Sequence, residues 1–291
     1  MLLLSIQIGY FVTALPLLRG AGRRCISELH PLLDYANPEL IPLIRRFEDM
    51  RLPGLGAAII VGGVVTVVFQ EAQFGRFSEW LAQPDSALGE IWTVLTAWTT
   101  WTLGLSAIAL VITDAAAMRK LGRDWVAVDL LRTEQLACFS RYGLQLSGTV
   151  IGLMALWAVS LVLITPLVGI GFTERSGNIG VLLILIYMVL AVAVFIFPQL
   201  GIRERVRMEK DRVYEQLTQM LPNPSEAIAQ ANANPERLAG LLSARAQVRD
   251  VTEWPAGQDA QLRLAFYLMV PLLSWSAAAL TEQLVSRMLS G

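Results

Sequence analysis

Six stretches of the sequence contain no charged residue, and this pattern constrains the fold more than any other feature. Each is 17 to 29 residues long, close to the ~20 residues with which an α-helix crosses a hydrocarbon core of about 30 Å. The chain has 23 basic and 24 acidic residues, and a random distribution would place about 20 of them in these stretches. None of them lies there. The stretches are residues 2–18, 52–69, 91–113, 144–172, 180–200 and 264–281.

The uncharged stretches predict an all-α, polytopic membrane protein with about six transmembrane helices. A charged residue at the centre of an inserting helix costs about 2.5–3.5 kcal/mol, so true spans exclude charge. Since lipid offers the backbone no hydrogen-bond partner, each span is expected to be helical. The composition agrees, because 55% of the residues are hydrophobic and 16% are charged. We expect a membrane domain with five spans in residues 1–200 and a last span or re-entrant segment in residues 264–291.

The basic residues predict the orientation of these spans. With six spans the loops alternate sides, so segments 19–51, 114–143 and 201–263 share one side. They carry 20 of the 23 Lys and Arg residues, and such an excess is typical of cytoplasmic loops. We therefore expect a multi-pass protein of the inner (plasma) membrane with both termini outside. Stretch 2–18 is expected to be a retained anchor, because it lacks the basic region and the cleavage site of a signal peptide.

Segment 201–263 is predicted to form a cytoplasmic helical stalk and hairpin, part of a small helical layer under the membrane. Apolar residues continue at helical spacing beyond residue 200, so the helix is expected to leave the membrane. Asn234-Pro235 is typical of a helix start. The amphipathic helix after it needs an apolar partner, which could be the stalk, a second copy of the chain or another protein. Basic residues near a membrane surface attract anionic lipids, and the predicted headgroup anchors are Arg203, Arg205, Arg207 and Lys210.

Small residues, hydroxyl-bearing residues and a proline mark three further features of the predicted spans. Small residues four apart let helices approach closely, and the predicted packing positions are Gly54, Ala58, Gly62, Gly148 and Gly152. Hydroxyls on one helical stripe could line a pore or pack between helices, and the stripe in stretch 91–113 consists of Thr93, Thr96, Thr100 and Gly104. Pro271 is a candidate hinge, since proline removes a backbone hydrogen-bond donor.

The chemistry that the sequence lacks narrows the expected function. Coupled carriers, voltage sensors and intramembrane proteases use ionisable residues within their spans, and the predicted spans have none. Cys25 and Cys138 match no metal or redox spacing, and His30 lacks the further ligands of a zinc site. We expect a non-enzymatic protein without cofactors, acting as an interaction, scaffold or sensory module through its cytoplasmic helices.

The expected partners are the lipid bilayer and, at the cytoplasmic helices, a second copy of the chain or another protein, with no nucleic acid. The alternative is an oligomeric pore or ion channel lined by the Thr-rich helix 91–113. Selectivity and gating in channels can come from backbone carbonyls and apolar constrictions, so the absence of charge within the spans does not exclude this alternative.

Overall fold

The computed structural model describes residues 2–33, 38–48, 54–74, 87–130, 133–167, 174–221, 235–254, 257, 259–269, 272–273 and 276. The helices are α1 (Leu2–Leu29), α2 (Leu40–Glu48), α3 (Leu55–Phe74), α4 (Ala87–Asp124), α5 (Ala137–Leu167), α6 (Glu174–Met220) and α7 (Pro235–Asp250). Short 3-10 helices lie at His30–Leu32 and Thr133–Leu136, and residues 259–269 are also helical. Within these ranges there is no strand beyond an isolated bridge between Leu33 and Val126. The predicted all-α class is confirmed.

Two helices of the described part of the chain contain stretches long and apolar enough to cross a membrane. They are Val94–Asp124 within α4 and Ile184–Met220 within α6, and Leu55–Val68 within α3 is apolar but shorter. Length and composition are the whole of this criterion, which the core helix of a soluble protein also meets. The helices therefore agree with membrane association, and the six spans stay a prediction.

Contacts between residues along α1, α4 and α5 give the relative directions of these three helices. Phe11 lies beside Gly104 and Arg19 beside Asp114, so α1 and α4 run in the same direction. Tyr10 bonds the carbonyl of Thr149 near the start of α1, whereas Cys138 lies beside Cys25 further along it. Because higher residue numbers in α5 match lower ones in α1, α5 runs in the opposite direction.

Helix α6 runs parallel to α4. Gly122 of α4 lies beside Ile202 of α6. Tyr187, fifteen residues before Ile202 in α6, packs against the cluster that contains Ala107, which is fifteen residues before Gly122 in α4. Helix α5 packs against both α1 and α6. The helices α1, α4 and α6 thus share one direction, which α5 opposes.

The main hydrophobic core lies at one end of this bundle. Its largest fully buried side chains include Phe47, Met118, Phe139, Tyr142 and Ile202, which come from α2, α4, α5 and α6. These residues lie in or next to the charged segments rather than in the middle of the uncharged stretches. Most of the largest fully buried side chains of the described residues therefore lie where charged and apolar residues are mixed.

Glycines that the sequence analysis did not select bring α6 close to its neighbours. A Cβ added to Gly201 would overlap the backbone carbonyl of Arg119, and one added to Gly143 would lie 2.8 Å from the carbonyl oxygen of Phe195. Real Cβ atoms essentially never come this close to backbone, so larger residues would force the helices apart. Glycine at these crossings is what lets α6 lie against both α4 and α5.

Helix α6 continues without interruption from the uncharged stretch 180–200 into the predicted stalk. It contains Pro198, which removes one backbone donor, and next to it the side-chain amide of Gln199 donates to the carbonyl of Phe195 at 2.8 Å. The next helix, α7, begins at Pro235, as the Asn-Pro pair predicts. It packs back against α6, so the stalk is one of its apolar partners.

Candidate functional site

A buried carboxylate, Asp114 of α4, brings together polar groups from three other helices. Nη1 of Arg19 in α1 donates to Oδ1 at 3.2 Å and to Oδ2 at 3.0 Å. The Tyr142 hydroxyl in α5 donates to Oδ2 at 2.9 Å, and Nε of Arg46 in α2 lies 4.0 Å from Oδ1. Asp114 is 0% exposed and Arg19 is 3% exposed. Four helices therefore meet at one carboxylate, and we call these four residues the Asp114 cluster.

The Asp114 cluster holds more positive than negative charge. A buried ion keeps its charge only where partners replace the water it has lost. Arg19 and Tyr142 supply three hydrogen bonds to the carboxylate. Burial and the neighbouring Asp114 charge raise the pKa of Tyr142 well above its usual range, so its hydroxyl keeps the proton that it donates. Arg46 adds a second guanidinium, and its side chain is 40% exposed.

Local packing explains how the four side chains reach one another. A Cβ added to Gly22 would lie 2.9 Å from the ring of Phe47 and 3.4 Å from that of Tyr142. These two rings meet edge to face, with centroids 6.0 Å apart. The absent side chain at Gly22 therefore lets α1 approach α2 and α5, which brings Arg19 to Asp114.

The sequence analysis did not select Arg19 and Asp114, although a signal for them was present. Each is the first charged residue after an uncharged stretch, and the two stretches end on the same predicted side. Residues at matching ends of two parallel spans lie at the same depth, so opposite charges there are candidates for an ion pair. Tyr142 and Arg46 carry no such signal, because burial and direction are decided by the packing of α2 and α5.

A second pair of buried groups lies at the interface of α1 and α5. Cys25 and Cys138 are buried free thiols. The hydrogen bond with Cys138, followed by burial, raises the pKa of the Cys25 thiol well above its ordinary value. Because the thiolate is the reactive form, this arrangement keeps Cys25 chemically quiet.

Ion pairs also connect the three charged segments at this end of the bundle. Segment 114–143 is joined to segment 19–51 by the pairs Arg19–Asp114, Lys120–Glu39 at 3.6 Å and Arg141–Glu28. It is joined to segment 201–263 by Arg119 and Glu204, which lie 3.6 Å apart. The segments that were expected to share one side therefore touch one another.

Two of the four predicted headgroup anchors bind the chain itself. Nε of Arg203 lies 3.8 Å from the Glu253 carboxylate, and its guanidinium lies 4.5 Å from the ring centroid of Trp254. The ammonium of Lys210 donates to the carbonyl of Val251 at 3.0 Å. These contacts fasten residues 251–254 to the stalk. The other two predicted anchors differ in exposure, since Arg205 is half-buried and Arg207 is exposed.

The predicted pore-lining stripe has its described hydroxyls bonded within its own helix. Thr96 donates to the carbonyl of Trp92 and Thr100 to that of Thr96, both at 2.8 Å. A Cβ added to Gly104 would lie 3.5 Å from the ring of Phe11, so this position faces α1. The side chain of Thr93 lies outside the described part of the structure.

The predicted packing positions have different surroundings. An added Cβ would lie 2.7 Å from Oγ1 of Thr102 at Gly62 and would overlap the Tyr10 hydroxyl at Gly152, whereas at Gly148 the nearest atom is 3.9 Å away in Tyr267. Ala58 is buried. Gly54 has a φ of +69° and nothing within 4 Å, so its role is the turn before α3. The candidate hinge, Pro271, lies outside the described residues.

Comparison with models of protein families, with curated proteins and with solved structures finds no match to this chain. Among the described residues, no group of three or more His, Cys, Asp or Glu side chains is placed to hold a metal ion. The Asp114 cluster joins its helices through buried charges and hydrogen bonds, and it is the candidate site that we consider further.

Proposed function

We propose that this chain is a non-enzymatic integral protein of the inner membrane that works as an interaction or scaffold module. Its long apolar helices cross the bilayer, and its charged helical layer lies on the cytoplasmic side. There the stalk and α7 bind a partner protein or a second copy of the chain.

The observation that carries this proposal is the meeting of segments 19–51, 114–143 and 201–263 at one end of the bundle. Two uncharged stretches separate each segment from the next, so the chain between two segments must leave this end of the bundle and return to it. Two crossings of a bilayer per excursion meet that requirement. The shared direction of α1, α4 and α6, opposed by α5, supports the same alternation.

The surface of the remaining bundle supports a lipid environment. Ile60 on α3 is 70% exposed and Val189 on α6 is 69% exposed. They belong to larger exposed apolar sets that include Ile59, Val61, Val64, Val67 and Val68 on α3 and Leu182, Leu185 and Ile186 on α6. Contiguous apolar patches of this kind are rare on soluble monomers, and lipid tails would cover them without cost.

The charged layer supports a protein contact beyond the bilayer. Met208 and Met220 on the stalk and Leu242 on α7 are exposed among charged neighbours. Flexible methionine side chains adapt well to partner surfaces. The stalk and α7 therefore present a mixed apolar and charged surface away from the exposed apolar faces of α3.

Cysteine labelling tests the proposed topology. Single cysteines would replace Ser176 and Glu215 in a chain that carries Cys25→Ala and Cys138→Ala, and intact cells would be treated with a membrane-impermeant maleimide. We expect label at position 176 in intact cells and at position 215 only after permeabilisation. Label at both positions in intact cells, or at position 215 alone, would contradict the proposal.

A further inference from the structure

Arginines outnumber the acidic groups that face them where α1 meets α2. Arg19 makes both hydrogen bonds from arginine to Asp114, while Arg46 lies 4.0 Å from the same carboxylate with its side chain 40% exposed. A guanidinium carries five N–H donors in a rigid fork. One carboxylate shared between two arginines leaves a net positive charge, and Arg46 has donors to offer toward solvent.

Neighbouring arginines add to this excess. Arg23 and Arg45 are exposed, and neither forms an ion pair with any acidic residue that the structure describes. The acids Glu28 and Glu39 of the same segment lie against Arg141 and Lys120 of other helices. Glu48, at the end of α2, is exposed, and it is the remaining acidic residue among the described positions of α1 and α2.

The packing of α1 on α2 brings these arginines to one junction. Gly22 lies against the ring of Phe47, since a Cβ there would approach it to 2.9 Å. Arg23 directly follows Gly22, and Arg46 directly precedes Phe47. Arg23 lies one helical turn beyond Arg19 on α1, and Arg46 approaches Asp114 from α2. Both arginines therefore adjoin the buried Arg19–Asp114 pair, and Arg45 directly precedes Arg46 in the sequence. We call Arg23, Arg45 and Arg46 the α1–α2 arginines.

We propose that the α1–α2 arginines bind a phosphate group. Arginine forks match phosphate oxygens in geometry and charge, so they bind phosphate in a bidentate way. The inference rests on the proposed function for the depth of the site. Arg19 directly follows the first predicted span, and Arg23 lies about 6 Å further along α1, which is the level of the cytoplasmic headgroups. The phosphate belongs to an anionic phospholipid or to a soluble phosphate compound.

The binding test uses the full-length protein purified in a neutral detergent. Native mass spectrometry would measure the affinity for dioleoylphosphatidylglycerol, with dioleoylphosphatidylcholine as the neutral reference, and inorganic phosphate would serve as a competitor. The site variant is Arg23→Gln with Arg45→Gln, which removes two exposed arginines and leaves the Asp114 cluster intact. The matched control is Arg237→Gln with Arg249→Gln, two exposed arginines of α7 that are not predicted headgroup anchors.

We expect the site variant to lose about 10- to 30-fold in phosphatidylglycerol affinity, since each surface arginine near anionic lipid contributes roughly a factor of five. The control should change less than about twofold. The Arg46→Lys variant, which keeps the charge and loses the fork, should lose affinity while its thermal unfolding midpoint stays close to that of the wild type.

Each outcome decides one point. If the site variant loses phosphatidylglycerol binding and millimolar phosphate does not displace the lipid from the wild type, the site binds a lipid headgroup. If the wild type binds phosphate and the site variant does not, the site binds a soluble phosphate compound. Equal affinities in the site variant and the control, or no binding by the wild type, would overturn the proposal. Cysteine labelling at positions 176 and 215 judges the topology independently, so a failure of the phosphate site and a failure of the proposed function remain distinguishable.

Discussion

At the scale of single residues, the Asp114 cluster removes the charges of Arg19 and Asp114 from water. Moving two charges out of water costs free energy, and the hydrogen-bonding partners offset that cost only while all of them are present. Arg19, Asp114 and Tyr142 satisfy one another. Their value lies in the unique arrangement of four helices rather than in a large net gain of stability.

Replacing Asp114 with Asn should destabilise the protein by about 3–5 kcal/mol, because Arg19 would remain buried without a counter-charge. The free energy of unfolding in mixed detergent micelles measures this loss. Asp250→Asn, which alters an exposed carboxylate at the end of α7, should change stability by less than about 0.5 kcal/mol. A combined Arg19→Met and Asp114→Leu variant should be more stable than Asp114→Asn alone. A combined variant no more stable than Asp114→Asn alone would contradict a mutual dependence of the two side chains.

At the scale of helices, the crossings of α6 explain the shape of the charged end. Gly122 and Gly201 lie where α4 and α6 touch, and Gly143 lies where α5 meets the carbonyl of Phe195. Helix backbones come into direct contact only where the residue between them has no side chain, as glycine does. The stalk therefore leaves the bundle in a direction that α4 and α5 together impose.

Replacing Gly201 with Ala should cost about 1–3 kcal/mol of stability, since the new methyl group would meet the carbonyl of Arg119 and spread α4 from α6. The same unfolding measurement applies. Gly240→Ala in α7 is the matched control, because a Cβ there has nothing within 4 Å and alanine favours helix by up to about 1 kcal/mol. A Gly201→Ala protein as stable as the Gly240→Ala protein would contradict the close crossing.

The pore alternative can be tested at the helix that would line the pore, α4. Because the hydroxyls of Thr96 and Thr100 bond carbonyls of their own helix, a Thr96→Val, Thr100→Val variant should fold with little change in stability. In a planar bilayer we expect neither the wild type nor the variant to carry ionic current. A current whose conductance or selectivity changes in the variant would favour an oligomeric pore over the interaction role.

At the scale of the whole molecule, apolar and charged surfaces are separated along the bundle. The exposed apolar side chains of α3 and the first half of α6 contrast with the ion pairs that join α1, α4 and the stalk. A molecule with this division fits an interface between lipid and water. Under the proposed function, the surface left for a partner protein is the stalk with α7.

Photo-crosslinking should find that partner. A benzophenone side chain at Met208, Met220 or Leu242, which are exposed on the stalk and α7, should give a protein adduct in cells. The same group at Val64, exposed on α3, should give none, because in the proposed topology lipid surrounds this position. An adduct of twice the 32.0 kDa chain would identify a second copy. Adducts at Val64 alone would contradict the assignment of the two surfaces.

Part of this description follows from the sequence by local rules. The helical class and the helix start at Pro235 follow from uncharged stretches and from the Asn-Pro pair, because hydrogen bonding and capping act between neighbours in the chain. The grouping of the three basic segments also follows, since two long apolar stretches separate each from the next. None of these predictions required knowledge of which helix lies beside which.

The tertiary structure decided which side chains meet. Arg203 and Lys210 are predicted headgroup anchors, and only the structure shows that they also contact residues 251–254, because the chain after α7 returns to the stalk. Gly201 carried no small-residue pattern, and it became a contact because α4 crosses α6 there. Asp114 looked like an ordinary boundary residue until the packing of α1, α2 and α5 excluded water from it. Partners distant in sequence depend on helix rotation and crossing, which local patterns do not encode.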